Sequence, residues 1–479
     1  MSSDIGVVDK YRDKVLNGPV GEILLWLGLP LMAVQLVHVS YNIADTYWLS
    51  RYSEVAYAAP RQIWPFFMFL NAIVHGIATA NMALISQSIG ARDYEYSKKI
   101  ISYFISTILL VNTATTTVFI VLGPLVFRYV MNTPPGLYNY VVIYASIISI
   151  DLFLSGIYIS YGTMFQAMGD TRTPSRAGVV SALLNIILDP FFIFGLKIKD
   201  LQILPGMGVA GAALATVISR FIGLIVVLSI LYKRYPFLKP SFIIKVDKNW
   251  LYRSVKIGLP VSLMMMSNSL AFMFQNRLIN TFGEYVAAAA AIGFVLMDLA
   301  DAALWGFTSS VSTMVGQAIG ANLEKRARNV GKKALLYIGL SSFMGSLIVL
   351  LFRNQFIGIF TNVPEIVMEA DTFVQLFAPT LALFAVFFIG MAIGRGSGHT
   401  LYPTILGIFR LWGIRLGLGY VLAIMIELGT IGLWISMSLS NLIAGLLIIP
   451  WVLRGKWTVP VVKRQEQLVV KPIREPHSR

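Results

Sequence analysis

The sequence predicts an all-α integral membrane protein of twelve transmembrane helices in two pseudo-symmetric six-helix bundles. Three observations carry this: a strongly apolar composition, basic residues confined to alternate loops, and an internal repeat that spans nearly the whole chain. Of 479 residues, 57% are hydrophobic and 13% charged, with mean hydropathy +0.73. A water-exposed surface cannot be built from that balance. One crossing of the hydrocarbon takes roughly 20 mainly apolar residues, so the chain holds about a dozen crossings and little else.

Hydrophobic runs bounded by Gly, Pro and charge place helices near 20–47, 55–88, 97–122, 137–168, 174–196 and 207–232. A second six follow near 253–282, 287–318, 328–352, 365–394, 403–425 and 429–453. The corresponding division is a cytoplasmic N-terminal segment (1–19), an N-lobe (20–232), a cytoplasmic linker (233–252), a C-lobe (253–453) and a basic cytoplasmic tail (454–479). Residues 1–19 are polar and charged, unlike a signal or transit peptide, so the first helix is expected to be a retained span.

The net charge of +15 reflects topology. Most Lys and Arg fall at the termini and after even-numbered helices, as in Lys233-Arg234 to Lys256 and Lys325-Arg326-Arg328-Lys332-Lys333. Such clusters mark the cytoplasmic side, which places both termini in the cytoplasm. They lack the aromatic interleaving of a nucleic-acid surface. With no Cys and four unclustered His, the chain offers no disulfide, thiol nucleophile or zinc set.

The repeat is legible by eye. Gly28-Leu29-Pro30 returns as Gly258-Leu259-Pro260 and Gln87-Ser88-Ile89-Gly90-Ala91 as Gln317-Ala318-Ile319-Gly320-Ala321, both displaced by 230. Between them, Glu54-Val55-Ala56 faces Glu284-Tyr285-Val286. Later, Gly169-Asp170-Thr171 with Pro174 parallels Gly398-His399-Thr400 with Pro403, and Gly208-Val209-Ala210-Gly211 parallels Gly429-Thr430-Ile431-Gly432. An even number of helices per half gives both halves one orientation, with an axis along the membrane normal and a cavity between them. That arrangement suits alternating access better than a pore, since no filter loop of coordinating groups is present.

Charge within a span costs about 2.5–3.5 kcal/mol on insertion scales, so each such residue needs a reason. Asp45 shares a helical face with Tyr41 and His38. Asp189 lies one turn beyond Asn185 and just before Pro190, which frees a carbonyl of the preceding turn. Both acids have a simpler explanation, as caps near the bilayer edge. Together, with hydroxyl and amide neighbours, they form an oxygen-rich pocket able to take sodium or a proton. Under the repeat Asp45 corresponds to Gln275 and Asp189 to Leu418, which assigns ion coupling to the N-terminal half. Asp298 and Asp301 are expected to pair with Arg277, Arg410 or Arg415 as a structural network, with a second cation site as the alternative.

These residues resemble the multidrug and toxic compound extrusion (MATE) family, and more closely its archaeal, DinF-like members. The resemblance rests on Pro30 followed by Tyr41-Asn42 and Asp45, on Leu184-Asn185-Ile186-Ile187-Leu188-Asp189-Pro190, and on Gly208 to Ala213 with Thr216. It implies a V-shaped pair of bundles, MATE-like, with cation binding at Asp45, Asn185, Asp189 and Thr216. It also implies a surrounding cavity that includes His38, Tyr41 and Tyr144, and a hinge at Pro30. His38 stands where the family would have an amide, and no C-lobe acids match those of the other bacterial branch.

The expected function is secondary active efflux of cationic or amphipathic organic compounds in exchange for H+ or Na+. The protein would act without a cofactor, as a monomer in the plasma membrane. A flippase for a lipid-linked oligosaccharide, suggested by Arg220, Arg277, Arg410 and Arg415, is the alternative. An embedded enzyme lacks catalytic clusters.

Overall fold

A computed structural model describes residues 2–53, 58–131, 133–198, 201–243 and 245–462. The repeat match at Glu54-Val55-Ala56 and most of the basic tail lie outside these residues. Among the described residues, twelve helices are long and apolar enough to cross a membrane.

The first six spans are α2 (Val20–Tyr52), α3 (Ala59–Gly90), α4 (Tyr94–Leu125, prolonged by a π turn to Val130), α5 (Pro135–Met168), α6 (Arg172–Phe194) and α7 (Val209–Arg234). The last six begin with α8 (Lys248–Asn280), α9 (Glu284–Gly320) and α10 (Glu324–Leu351), followed by the short α11 (Arg353–Gly358). Span ten is α12 (Pro364–Phe377) joined through a 3-10 turn to α13 (Leu381–Ser397). Span eleven starts as α14 (Leu401–Ile408) and continues as π-helix, and α15 (Gly429–Arg454) closes the set. Local chemistry sets many ends. Asp93 caps α4 through the Tyr96 amide and Asp247 caps α8 through the Trp250 amide. Gly169 and Gly398, at φ 91° and 81°, end spans four and ten in the left-handed region.

Two elements depart from the all-helical, twelve-span reading. Ser2–Asn17 forms an additional helix, α1. Strands β1 (Gly195–Ile198) and β2 (Leu201–Pro205) form an antiparallel hairpin between α6 and α7. The hairpin arises because Gly195 at φ 84° stops α6 while the following residues alternate apolar and polar.

The halves meet reciprocally: α2 packs on α9 and its repeat counterpart α8 on α3, with α3 against α9. Glycine makes these crossings close. A Cβ on Gly90 would collide with the Gln317 carbonyl, and one on Gly320 with the Gln87 carbonyl. Gly76 and Gly258 face each other's backbone in the same way, at 2.6 Å and 2.5 Å from a Cβ to the opposing carbonyl oxygen. Small residues let helix backbones approach where lipid gives no hydrophobic drive. The Gln87 amide donates to the Ser397 carbonyl (3.0 Å) and the Gln317 amide to the Ala167 carbonyl (2.9 Å). Each thereby caps a helix end in the opposite half.

The chain termini reinforce this closed end. Arg12 of α1 donates to the Gly90 carbonyl at 2.7 Å and 2.9 Å, and Arg326 of α10 donates to the Val15 carbonyl at 3.0 Å. Val461 and Val462 donate their amides to Gln87 Oε1.

Because the chain has no Cys, one buried thiol can report on the seal. Ser86, which abuts Gly316 of the other half, is replaced by Cys. An impermeant maleimide should label Ser86→Cys slowly and label Ser86→Cys/Gly320→Val at least about tenfold faster, the factor given by about 1.4 kcal/mol. Equal rates would mean that the crossing is not the seal.

Candidate functional site

A cavity of about 720 Å³ lies between the halves. It stops above the glycine crossing and includes Pro60 and Trp64 near the far end of α3, so the terminus end is shut and the cavity belongs to the opposite side.

Along α2 the spacings of three and four bring His38, Tyr41 and Asp45 to the cavity wall, with the His38 and Tyr41 rings edge to face at 5.6 Å. Asp45 is 8% exposed, and its Oδ1 accepts no hydrogen bond. From α6, Asn185 donates to Asp189 Oδ1 and to Thr216 Oγ1, both at 3.3 Å. Asp189 is fully buried and its Oδ2 has no donor, nor does Asn185 Oδ1. Tyr144 of α5 lies within electrostatic range of both acids, and the acids within range of each other.

Asp45, Thr216, His38, Tyr41 and Tyr144 thus line the cavity, and Asn185 and Asp189 join them through the Asn185 bonds without lining it. Pro30 lies apart: α2 runs through it unbroken, and its ring leaves the Trp26 carbonyl without an i+4 donor.

The pocket offers two carboxylates and three oxygens without partners, and neither acid has a basic side chain within ion-pair distance among the described residues. Unpaired acids in a span are costly; a hard cation coordinated by oxygen, or a proton, relieves that cost. Among the described residues no group of three or more His, Cys, Asp or Glu could hold a metal ion.

Sequence reasoning missed Asp151. It forms an ion pair with Arg220 at 3.0 Å, with 5% and 16% of the two side chains exposed, and both residues line the cavity. The available signal was an acid in the middle of a predicted span. At the repeat displacements of 229 and 221, Asp151 and Arg220 correspond to Thr380 and Asn441. That pair is also bonded, Asn441 donating to Thr380 at 3.2 Å. One geometry is therefore ionic in one half and neutral in the other.

The expected Asp298 and Asp301 network is corrected. Asp298 and Arg277 are exposed, and Asp301 is within electrostatic range of Arg410 and Arg415 but has an Oδ1 without a donor. Arg410 instead donates to Asn441 at 2.9 Å and Arg415 to Ser440 at 3.4 Å. Gln275, in the place of Asp45, is buried against Met437.

A two-lobed helical bundle with a cavity between the lobes and buried acids without cationic partners is the architecture of a membrane transporter. The chain belongs to the MatE family, whose model matches residues 30–191 and 260–421, once in each half and 230 residues apart. Members are ion-coupled transporters that need no cofactor, not enzymes, and the chain is a multi-pass plasma-membrane protein. It is 26% identical over 400 residues to the probable multidrug resistance protein YoeA of Bacillus subtilis, covering 82% of this chain and 84% of that one. To the probable multidrug resistance protein NorM of Thermotoga maritima it is 25% identical, covering 93% and 95%. A crystal structure of MATE in complex with MaD3S superposes with TM-score 0.84 at 24% identity, covering 92% of this chain and 96% of that one.

Removing one partner of a buried ion pair strands the other charge. Asp151→Ala should lower stability by about 3–5 kcal/mol, seen as a lower melting temperature in detergent, whereas Asp151→Ala/Arg220→Met should recover most of it. Equal melting of both variants would show that the pair carries no such constraint.

Proposed function

We propose that this protein is a secondary active multidrug exporter that expels cationic or amphipathic organic compounds in exchange for H+ or Na+. The observation that carries the reading is the pair Asp45 and Asp189, buried, mutually repelling and unneutralised, beside a cavity large enough for a small organic molecule. Relatives named as probable multidrug resistance proteins, YoeA and NorM among them, support export of varied organic compounds.

Asp45, Asn185, Asp189 and Thr216 bind the coupling ion, and His38, Tyr41 and Tyr144 shape the adjoining cavity. Met68, Met82, Met264 and Phe67 give adaptable and flat apolar walls that suit unlike compounds. The positive-inside bias puts both termini in the cytoplasm, so the closed end faces inward and the cavity outward. Cation binding at the acids weakens the hold on a cationic substrate, because the two compete for one negative field. Pro30 is the place where α2 bends as the cavity collapses, since its missing N–H already interrupts the helix ladder. Every group in this cycle belongs to one chain, which functions as a monomer. The flippase alternative is less favoured, because the relatives are named as multidrug resistance proteins and Arg220 is neutralised by Asp151.

The test is transport of a fluorescent cationic dye in proteoliposomes under an imposed pH gradient and, separately, an imposed sodium gradient. One gradient should drive it, and Asp45→Asn and Asp189→Asn should each reduce the driven rate at least about a hundredfold, the scale of about 2.7 kcal/mol. Undiminished transport in both variants would refute the assignment.

A further inference from the structure

The second half contains a polar centre that the cation cycle does not use. Span eleven is π-helical from Phe409 to Leu418. In that geometry the hydrogen bond runs from i to i+5, so Arg410 and Arg415, five residues apart, stack on one face; on an α-helix they would diverge by more than a third of a turn. The two residues are 6% and 2% exposed.

Their donors are far from satisfied. Arg410 gives one N–H to Asn441 and Arg415 one to Ser440, leaving Arg410 Nε and both terminal nitrogens of Arg415 without partners. Aromatic faces hold the groups: Phe384 and Phe387 lie 5.4 Å and 5.2 Å from Arg410, and Phe377 lies 6.0 Å from Arg415. The nearby acid is Asp301, which forms no ion pair with either. Two cations and one acid leave a net positive centre. Arg410 lines the cavity from the second half as Asp45 does from the first, and Arg415 lies within electrostatic range of Arg410 without lining the cavity itself.

We propose that Arg410 and Arg415 form an anion subsite of the cavity, which takes the carboxylate or phosphate group of a substrate. Planar forks of N–H donors match such oxyanions, and π-helical turns recur at functional sites. The inference deepens the transporter reading. With Asp45 lining the cavity from the first half and Arg410 from the second, the cavity is polarised and selects zwitterionic amphipathic compounds alongside plain cations. The shared chemistry is the oxyanion, whether carried by the substrate or free in solution.

The test uses the full-length protein in detergent with no gradient, so that failure of the antiport reading leaves it interpretable. Binding of a xanthene dye with a free benzoic carboxylate is compared with that of its methyl ester by fluorescence polarisation. Arg410→Gln and Arg415→Gln should weaken the carboxylate dye at least about tenfold, or about 1.4 kcal/mol, and leave the ester within about twofold; ester binding certifies the fold. Inorganic phosphate that displaces only the carboxylate dye from the unaltered protein would extend the site to free oxyanions. Failure of phosphate to displace it, with the selective loss intact, would assign the site to substrate-borne groups. Equal loss of both dyes, or no loss of either, would overturn the proposal. Should the Gln variants not fold, Arg410→Lys and Arg415→Lys retain charge without the fork, and the same selectivity for the carboxylate dye decides.

Discussion

Two backbones meet directly at the seam between the halves. Gly90 lies on the carbonyl of Gln317 and Gly320 on that of Gln87, with the two Gln amides each capping a helix of the other half. No side chain larger than hydrogen fits either position. Because the contact is reciprocal, it lies on the pseudo-two-fold axis and fixes how one half meets the other. Everything beyond it toward the far end can diverge into a cavity. Hydrogen bonds also tie Arg12 and Val15 of α1 and the segment at Val461 to the same place.

Divergence from a sealed end gives the two halves separate chemistries. In the first, Asp151 neutralises Arg220, while Asp45 and Asp189 have no cationic partner. In the second, the equivalent pair is Thr380 with Asn441, the equivalents of the two free acids are Gln275 and Leu418, and the surplus charge is positive. A duplicated scaffold has thus been made asymmetric by a few polar substitutions. Such substitutions are expensive in a membrane, which is why they mark where ions and polar substrate groups bind.

Much of this was legible in the sequence, for definable reasons. Hydropathy locates spans because lipid demands apolar length, and the observed helices differ from the expected ones by a few residues at most ends, as in 174–196 against Arg172–Phe194. The repeated Gln-x-Ile-Gly-Ala motif pointed to symmetry, although not to its role, because a glycine's neighbour is invisible until the halves are assembled. Asp45, Asn185, Asp189 and Thr216 converge as the helical spacing and the family resemblance implied. The helix α1 escaped detection because it is too polar for a hydropathy reading, and the hairpin at Gly195–Pro205 because so short an element barely interrupts two long helices. The Asp298 and Asp301 network failed because Asp298 is exposed and the π turn places Arg410 and Arg415 among aromatic rings instead. Nothing in Phe409–Leu418 announces a π turn.

The central claim is that ion occupancy of the first-half acids governs the opening at the far end. It is tested most directly by spin labels at Tyr129→Cys and Ile359→Cys, widely exposed positions equivalent under the repeat at that end, with pulsed dipolar spectroscopy of the interspin distance in nanodiscs. Saturating coupling ion, supplied as acid or as sodium, should shift the distance distribution in the unaltered protein and leave it unmoved in Asp45→Asn/Asp189→Asn. An identical shift in both proteins, or none in either, would contradict control of the opening by these two carboxylates.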